Sequence, residues 1–124
     1  MQNNQYIHAI TANNFEEYLQ TCDIMFVDFW ATWCAPCKNF ARTFAKIAAQ
    51  YPAITFCNVN IEQEDELAKV FAIQSVPHLM IFKKCIAIYS ESGAIPEAIL
   101  QELAKQALAA DISDIINQTN MHEE

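Results

Sequence analysis

The apolar pattern of this chain predicts an α/β fold with a mixed central β-sheet flanked by helices, and three observations carry that prediction. Two short, nearly continuous apolar runs, "IMFVDFWA" (24–31) and "ITFCNVNI" (54–61), suit strands buried on both faces. A helical stripe lies between them, which implies a parallel βαβ unit with a right-handed crossover. After Pro77, "HLMIFKK" and "CIAIYSE" read as two adjacent strands. They imply an antiparallel hairpin with a covering helix behind it.

Each element has its own signal. Asn13 followed by Glu16 resembles a helix cap, and Phe15, Tyr18, Leu19 and Cys22 then share one helical face. A helix starting at Cys34 buries Phe40, Phe44, Ile47 and Ala48 and stops near Tyr51-Pro52. The segment 62–73 opens with acidic residues, which favour a helix N-terminus, and presents Leu67, Val70 and Phe71. Pro96 opens a last helix with Ile99, Leu100, Leu103 and Ala107 facing inward. The predicted order is helix, strand, helix, strand, helix, strand, strand, helix. The hairpin turn at Lys83-Lys84-Cys85 has no Asn-Gly or Asp-Gly pair to define it, and the whole chain holds a single glycine.

A length of 124 residues with 53% apolar content argues for one domain with an ordinary core. The formal net charge of −8 argues against nucleic-acid or anionic-membrane partners. No apolar stretch approaches the ~18 residues of a membrane span. "MQNNQYIHAI" lacks the basic and apolar regions of an export signal. Cysteines at 22, 34, 37, 57 and 85 make an odd count, which argues against a disulfide framework and for a reducing, cytoplasmic setting.

The chemistry concentrates in "DFWATWCAPCKNF" (28–40). Cys34 stands where a helix begins, beside its orphan amides and the positive end of its dipole, which favour a thiolate. Cys37 follows on the same face within disulfide range and should be less exposed. The asymmetry suggests that Cys34 attacks a substrate disulfide and Cys37 resolves the mixed disulfide. Pro36, in the first turn, costs no helical hydrogen bond. The pair could also be half of a metal site or two structural thiols. A closed zinc site needs four ligands, however, and Cys22, Cys57, Cys85, His8, His78 and His122 form no second close pair. No metal is expected.

"VDFWATWCAPCK" (27–38) and "SVPHL" (75–79), with "NIEQ" (60–63) and "SGA" (92–94), resemble the active-site and cis-proline segments of the thioredoxin family. The likeness spans about residues 5–108. It implies a thioredoxin fold over 1–110 and a C-terminal extension over 111–124, helical and then disordered. It implies Cys34 as nucleophile, Cys37 as resolving thiol and Asp28 behind them in proton transfer. Trp33 would form the rim of the site and Trp30 would pack beneath it. Pro77 would be cis, with Val76 lending backbone hydrogen bonds to an extended substrate strand and Gly93 nearby. The resemblance implies no bound cofactor, with NADPH acting indirectly through thioredoxin reductase. Clients would include ribonucleotide reductase, peroxiredoxin and methionine sulfoxide reductase, and the protein would act as a monomer.

The sequence departs from the family pattern in four places. Ala35 stands where the family most often has Gly and, with Pro36, would tune the redox potential modestly. Asn58 replaces a lysine near the buried aspartate, which should leave the Asp28 carboxyl less acidic. Arg42 replaces a helix-kinking proline, and a straighter helix should follow. His78 replaces a threonine after Pro77; protonated, it could favour the Cys34 thiolate, although a hydrogen-bonded or exposed histidine is the simpler reading. Cys22, Cys57 and Cys85 read as core or hairpin residues, with Cys85 open to oxidation. Ile112, Ile115 and Ile116 continue a helical spacing from Leu108, a stripe that could form a dimer contact but more simply packs back on the domain. A disulfide oxidase or isomerase, and a protein-binding module using the same surface, are the competing functions.

Overall fold

In the computed structural model, which describes residues 5–113, the elements run β1 (Ile7–Ala9), α1 (Phe15–Thr21), β2 (Ile24–Trp30), α2 (Ala35–Gln50), β3 (Thr55–Asn60), α3 (Asp65–Val70), β4 (His78–Lys83), β5 (Ile86–Ser92) and α4 (Glu97–Ala109). The sheet order is β1-β3-β2-β4-β5. β1 and β2 flank β3 in parallel, and β4 and β5 complete the sheet in antiparallel sense. This is the thioredoxin fold, with a mixed sheet between two helical layers.

Alternation along β2 sorts the core. Ile24 and Phe26 meet Phe40, Phe44 and Ile47 of α2 and Leu100 of α4 on one face. Met25, Val27 and Phe29 meet Phe15 of α1 and Leu67 of α3 on the other. Both faces are covered, so β2 carries no polar alternation, and its only ionisable residue is Asp28. α2 runs unbroken over 16 residues, and Arg42, standing within it, donates Nη1 to Asn39 Oδ1 at 3.1 Å.

Several expectations need correction. β1 was not anticipated: it is three residues long at the sheet edge and only partly buried, so it carries no alternation to detect. α1 is entered at Asn14, not Asn13, and Asn14 Oδ1 accepts from Thr11 N at 2.8 Å instead of capping the helix. Val70 is 73% exposed, because α3 ends there and the buried line runs through Leu67 and Ala68. Ile99 is 49% exposed; the inward stripe of α4 is Leu100, Leu103, Ala104 and Ala107, with Ile99 one residue off its axis. Ile112 is buried as expected, whereas Ile115 and Ile116 lie outside the described residues.

The hairpin without glycine is built from Lys84 at φ 50° and Cys85 at φ 70°. Two consecutive left-handed residues match the twist of a tight hairpin but are strained for side chains with a Cβ. Compensating contacts hold them. Lys84 N donates to Asp23 O at 2.8 Å, Lys84 Nζ meets Asp23 Oδ1 at 2.8 Å, and the Cys85 thiol donates to Leu19 O at 3.3 Å. The neighbouring Lys83 is buried and donates to the carbonyls of Ala107, Leu108 and Ala110 at 2.8, 3.2 and 2.6 Å, closing the C-terminal end of α4.

Candidate functional site

The C-terminal end of β2 delivers the chain through Ala31, Thr32 and Trp33 to Cys34, which occupies the N-cap of α2. Its extended backbone (φ −93°, ψ 105°) turns Sγ toward the first helical amides, and Cys37 N donates to Cys34 Sγ at 3.2 Å. Ala35 and Pro36 open the helix, with Pro at a position where the missing N–H costs nothing. Cys34 and Cys37 form a disulfide with a Cα separation of 5.3 Å, inside the usual range. An N–H aimed at sulfur, with the helix dipole behind it, stabilises an anion there once the bond is reduced.

Both sulfurs are more enclosed than the sequence suggested. Cys34 is 3% exposed and Cys37 fully buried, so the expected asymmetry holds in sign but is small. They rest on Ala31, Trp30, Ile61 and Val76. Trp33 projects beside them, 69% exposed. Across the site the Val76–Pro77 peptide is cis, and Val76 O lies 3.5 Å from Cys34 Sγ. Gly93, at φ 111°, donates its N–H to Pro77 O at 2.7 Å, tying the end of β5 to the cis-proline segment. An added Cβ at Gly93 would meet nothing within 4 Å, so backbone conformation, not space, selects glycine.

Asp28 lies on the α2 face of the sheet, in the alternation of Ile24 and Phe26. It is wholly buried, and neither carboxylate oxygen has a hydrogen-bond partner among the described residues. Desolvation therefore pushes its carboxyl well above the ordinary carboxylate range. Its register partner on β3 is Asn58, also buried and on the same face. A neutral amide stands where an ammonium would have drawn the carboxyl back down.

His78 opens β4 and is held by contacts other than the dithiol. Its Nε2 is 2.8 Å from Ser90 Oγ, and its ring meets Phe29 edge-on at 6.2 Å. Burial lowers its pKa, with Glu91 opposing, so the ring is mostly neutral at pH 7. Cys57 is buried and its thiol pushed up by burial, Cys22 is half-buried, and Cys85 is exposed. Among the described residues no group of three or more His, Cys, Asp or Glu is placed to hold a metal ion, and no helix is long and apolar enough to cross a membrane.

One neighbour of the site was not singled out from the sequence. Glu62 Oε1 accepts from both Thr32 N and Thr32 Oγ1, each at 2.7 Å. These bonds hold its carboxyl below the usual range. The signal was an acid just past β3, whose last residue, Asn60, pairs with the last residue of β2, Trp30.

Comparison with known proteins gives one consistent picture. The family model described as Thioredoxin matches residues 6–106. A relative from Streptomyces coelicolor named "Putative thioredoxin 2" is 37% identical over 106 residues, covering 86% of this chain and 79% of that protein. A bifunctional thioredoxin reductase/thioredoxin of Mycobacterium leprae is 30% identical over 115 residues, 92% of this chain and 23% of that protein. Among solved structures, a point mutant of a thioredoxin from Halobacterium salinarum superposes with a TM-score of 0.77 at 20% identity, covering 82% of this chain and 89% of that one.

Proposed function

The chain belongs to the thioredoxin family and is a thiol-disulfide oxidoreductase of the protein-disulfide-reductase kind, and from that premise we propose how its residues divide the work. The observation that carries the reading is the N-cap position of Cys34, with Cys37 N–H aimed at its sulfur at 3.2 Å. The Cys34 thiolate attacks one sulfur of a client disulfide and expels the other as a thiolate. Cys37, deprotonated, then attacks Cys34 Sγ, which closes the Cys34–Cys37 disulfide and releases the second client thiolate. Two electrons pass to the client, and of the two protons that end on its thiols one is the Cys37 proton and the other comes from solvent.

Asp28 is the acceptor for the Cys37 proton. It lies on the sheet face that α2 covers, and burial raises its carboxyl well above the ordinary range, which makes it a stronger base than an exposed carboxylate. Trp33, Val76, Pro77 and Gly93 form the docking surface, with the Val76 backbone pairing to an extended client strand. Ala35 and Pro36 set the potential by shaping the first helical turn, and His78, tied to Ser90, orders the edge of that surface.

The family's dithiol chemistry needs no bound cofactor. We assign the recharging electrons to NADPH through thioredoxin reductase, a partner supported by the relative that carries both activities in its name. Disulfide-forming enzymes such as ribonucleotide reductase, peroxiredoxin and methionine sulfoxide reductase are the client class, and the protein works as a cytoplasmic monomer. Insulin reduction with thioredoxin reductase and NADPH tests the reading. Activity should vanish in Cys34→Ser, while Cys37→Ser should trap a mixed disulfide with insulin. Parental turnover in Cys34→Ser would overturn it.

A further inference from the structure

The segment between β2 and α2 presents the whole attacking edge of the site, yet its backbone has few internal ties. Cys34 N reaches Ala31 O at 3.2 Å, and Ile61 N holds Trp30 O at 2.9 Å just before the loop. Thr32 is exposed, and the exposed Trp33 follows it directly. A loop of this kind samples several orientations unless another element holds it.

Glu62 supplies that hold. It stands just beyond β3, where its own N–H donates to Asn60 Oδ1 at 2.9 Å, while Gln63 N and Glu64 N donate to Asn60 O at 3.1 and 2.9 Å. The backbone under Glu62 is thus anchored before its side chain reaches out. One carboxylate oxygen then receives Thr32 N–H and the Thr32 hydroxyl together, each at 2.7 Å. Short bonds to an ionised acceptor are the stronger class, and two from one residue fix orientation as well as distance. The clasp joins residues 30 apart in sequence, immediately before Trp33 and two residues before Cys34.

We infer that Glu62 is a positioning residue for client docking: by clasping Thr32 it sets the direction in which Trp33 projects beside Cys34. The inference rests on the oxidoreductase reading and deepens it. Glu62 acts through Thr32, so its loss should weaken the encounter with a folded or extended protein client. The sulfur chemistry should be spared, since Cys34 is held separately by the N-cap geometry of α2.

The test is steady-state reduction of insulin beside reduction of a small aromatic disulfide, which needs no docking rim. Glu62→Ala should raise KM for insulin about threefold to tenfold with kcat within about twofold, as the loss of two exposed charge-assisted bonds allows. Its rate with the small disulfide should match the parent's. Glu62→Gln keeps an oxygen that can accept from Thr32 and should recover part of the KM. Thr32→Val should raise KM less than Glu62→Ala and add nothing in the double variant. An unchanged KM in Glu62→Ala overturns the inference. So does Glu62→Gln behaving as Glu62→Ala with Thr32→Val fully additive, because the charge would then be meeting the client directly. A parent that reduces neither substrate would sink the oxidoreductase reading itself, a result separable from both.

Discussion

Two buried ionisable side chains share one face of the sheet, and they are treated in opposite ways. Lys83 pairs with Ile24 at one end of β2, and Asp28 lies four residues further along the same strand. Lys83 spends its three ammonium donors on three carbonyls at the end of α4, where the helix dipole is negative. Asp28 has no such partner for either oxygen among the described residues. Burying a charge is costly unless it is paired in place, so the lysine end is a closed structural joint. The aspartate end leaves the cost standing, and the carboxyl answers by holding its proton to an unusually high pH. The difference separates an end of the sheet where a buried charge is paired from an end where a buried carboxyl is not.

The largest test of this contrast is Lys83→Met. It keeps an apolar stem of similar length but strands three carbonyls at the α4 terminus, and it should cost about 3 kcal/mol in urea unfolding. Insulin reduction per folded molecule should stay within about twofold of the parent. A loss below about 1 kcal/mol would mean that water satisfies those carbonyls as well as the lysine does.

Asp28→Asn should do the reverse, stabilising the fold while slowing the chemistry. In the native state the Asp28 carboxyl is raised above its ordinary value of 3.8, so the folded protein binds more protons than the unfolded chain through that interval. Stability therefore falls as pH rises from the unfolded pKa through the folded one, by about 1.4 kcal/mol for each unit of displacement. The asparagine variant escapes that loss. Its advantage in Tm should be full at pH values above the raised pKa and should vanish as pH falls toward 3.8. Resolution of a trapped mixed disulfide should slow on the order of tenfold at pH 7. Equal stability of the two proteins at all pH values would show that Asp28 is solvated after all.

A finer cut uses the register partner. Strands in one sheet lie about 4.8 Å apart, so an ammonium at position 58 falls beside Asp28 on the same face. Asn58→Lys should draw the carboxyl pKa down and shift the pH profile of mixed-disulfide resolution to lower pH. An unmoved profile would uncouple the two residues.

These features differ in how far the sequence foretells them. β2 and β3 were legible because burial on both faces makes each a nearly continuous apolar run, α2 because its buried side chains form a helical stripe, and the cysteine pair because a helix start and C-x-x-C coincide. Trp33, the cis Val76–Pro77 bond and Gly93 were legible through resemblance to a family. β1 was silent, since three half-covered residues carry no period. Ile99 and Val70 were placed inward because apolar identity was taken for stripe position, and a shift of one residue turns a side chain by about 100°. What escaped at the site is nonlocal. The lack of partners at Asp28, the grip of Glu62 on Thr32 and the reach of Lys83 to α4 all depend on contacts many residues apart, whereas the place of Asn58 beside Asp28 was legible through the resemblance.

The smallest effect lies at the structural end, beside Lys83. Cys85 adopts φ 70° in the two-residue turn between β4 and β5, a conformation that costs a side chain roughly 1 kcal/mol. Its thiol recovers some of this by donating to Leu19 O, a carbonyl near the end of α1. Cys85→Gly removes the strain and that bond together, so stability should rise by a few tenths to about 1 kcal/mol, read as a small upward shift in urea midpoint with an unchanged slope. Lys84 stays anchored through Asp23 in either protein, so the hairpin register should not move. A destabilised glycine variant would reveal that the weak thiol bond outweighs the backbone strain, and that this end of the sheet relies on side-chain ties even where the backbone would prefer release.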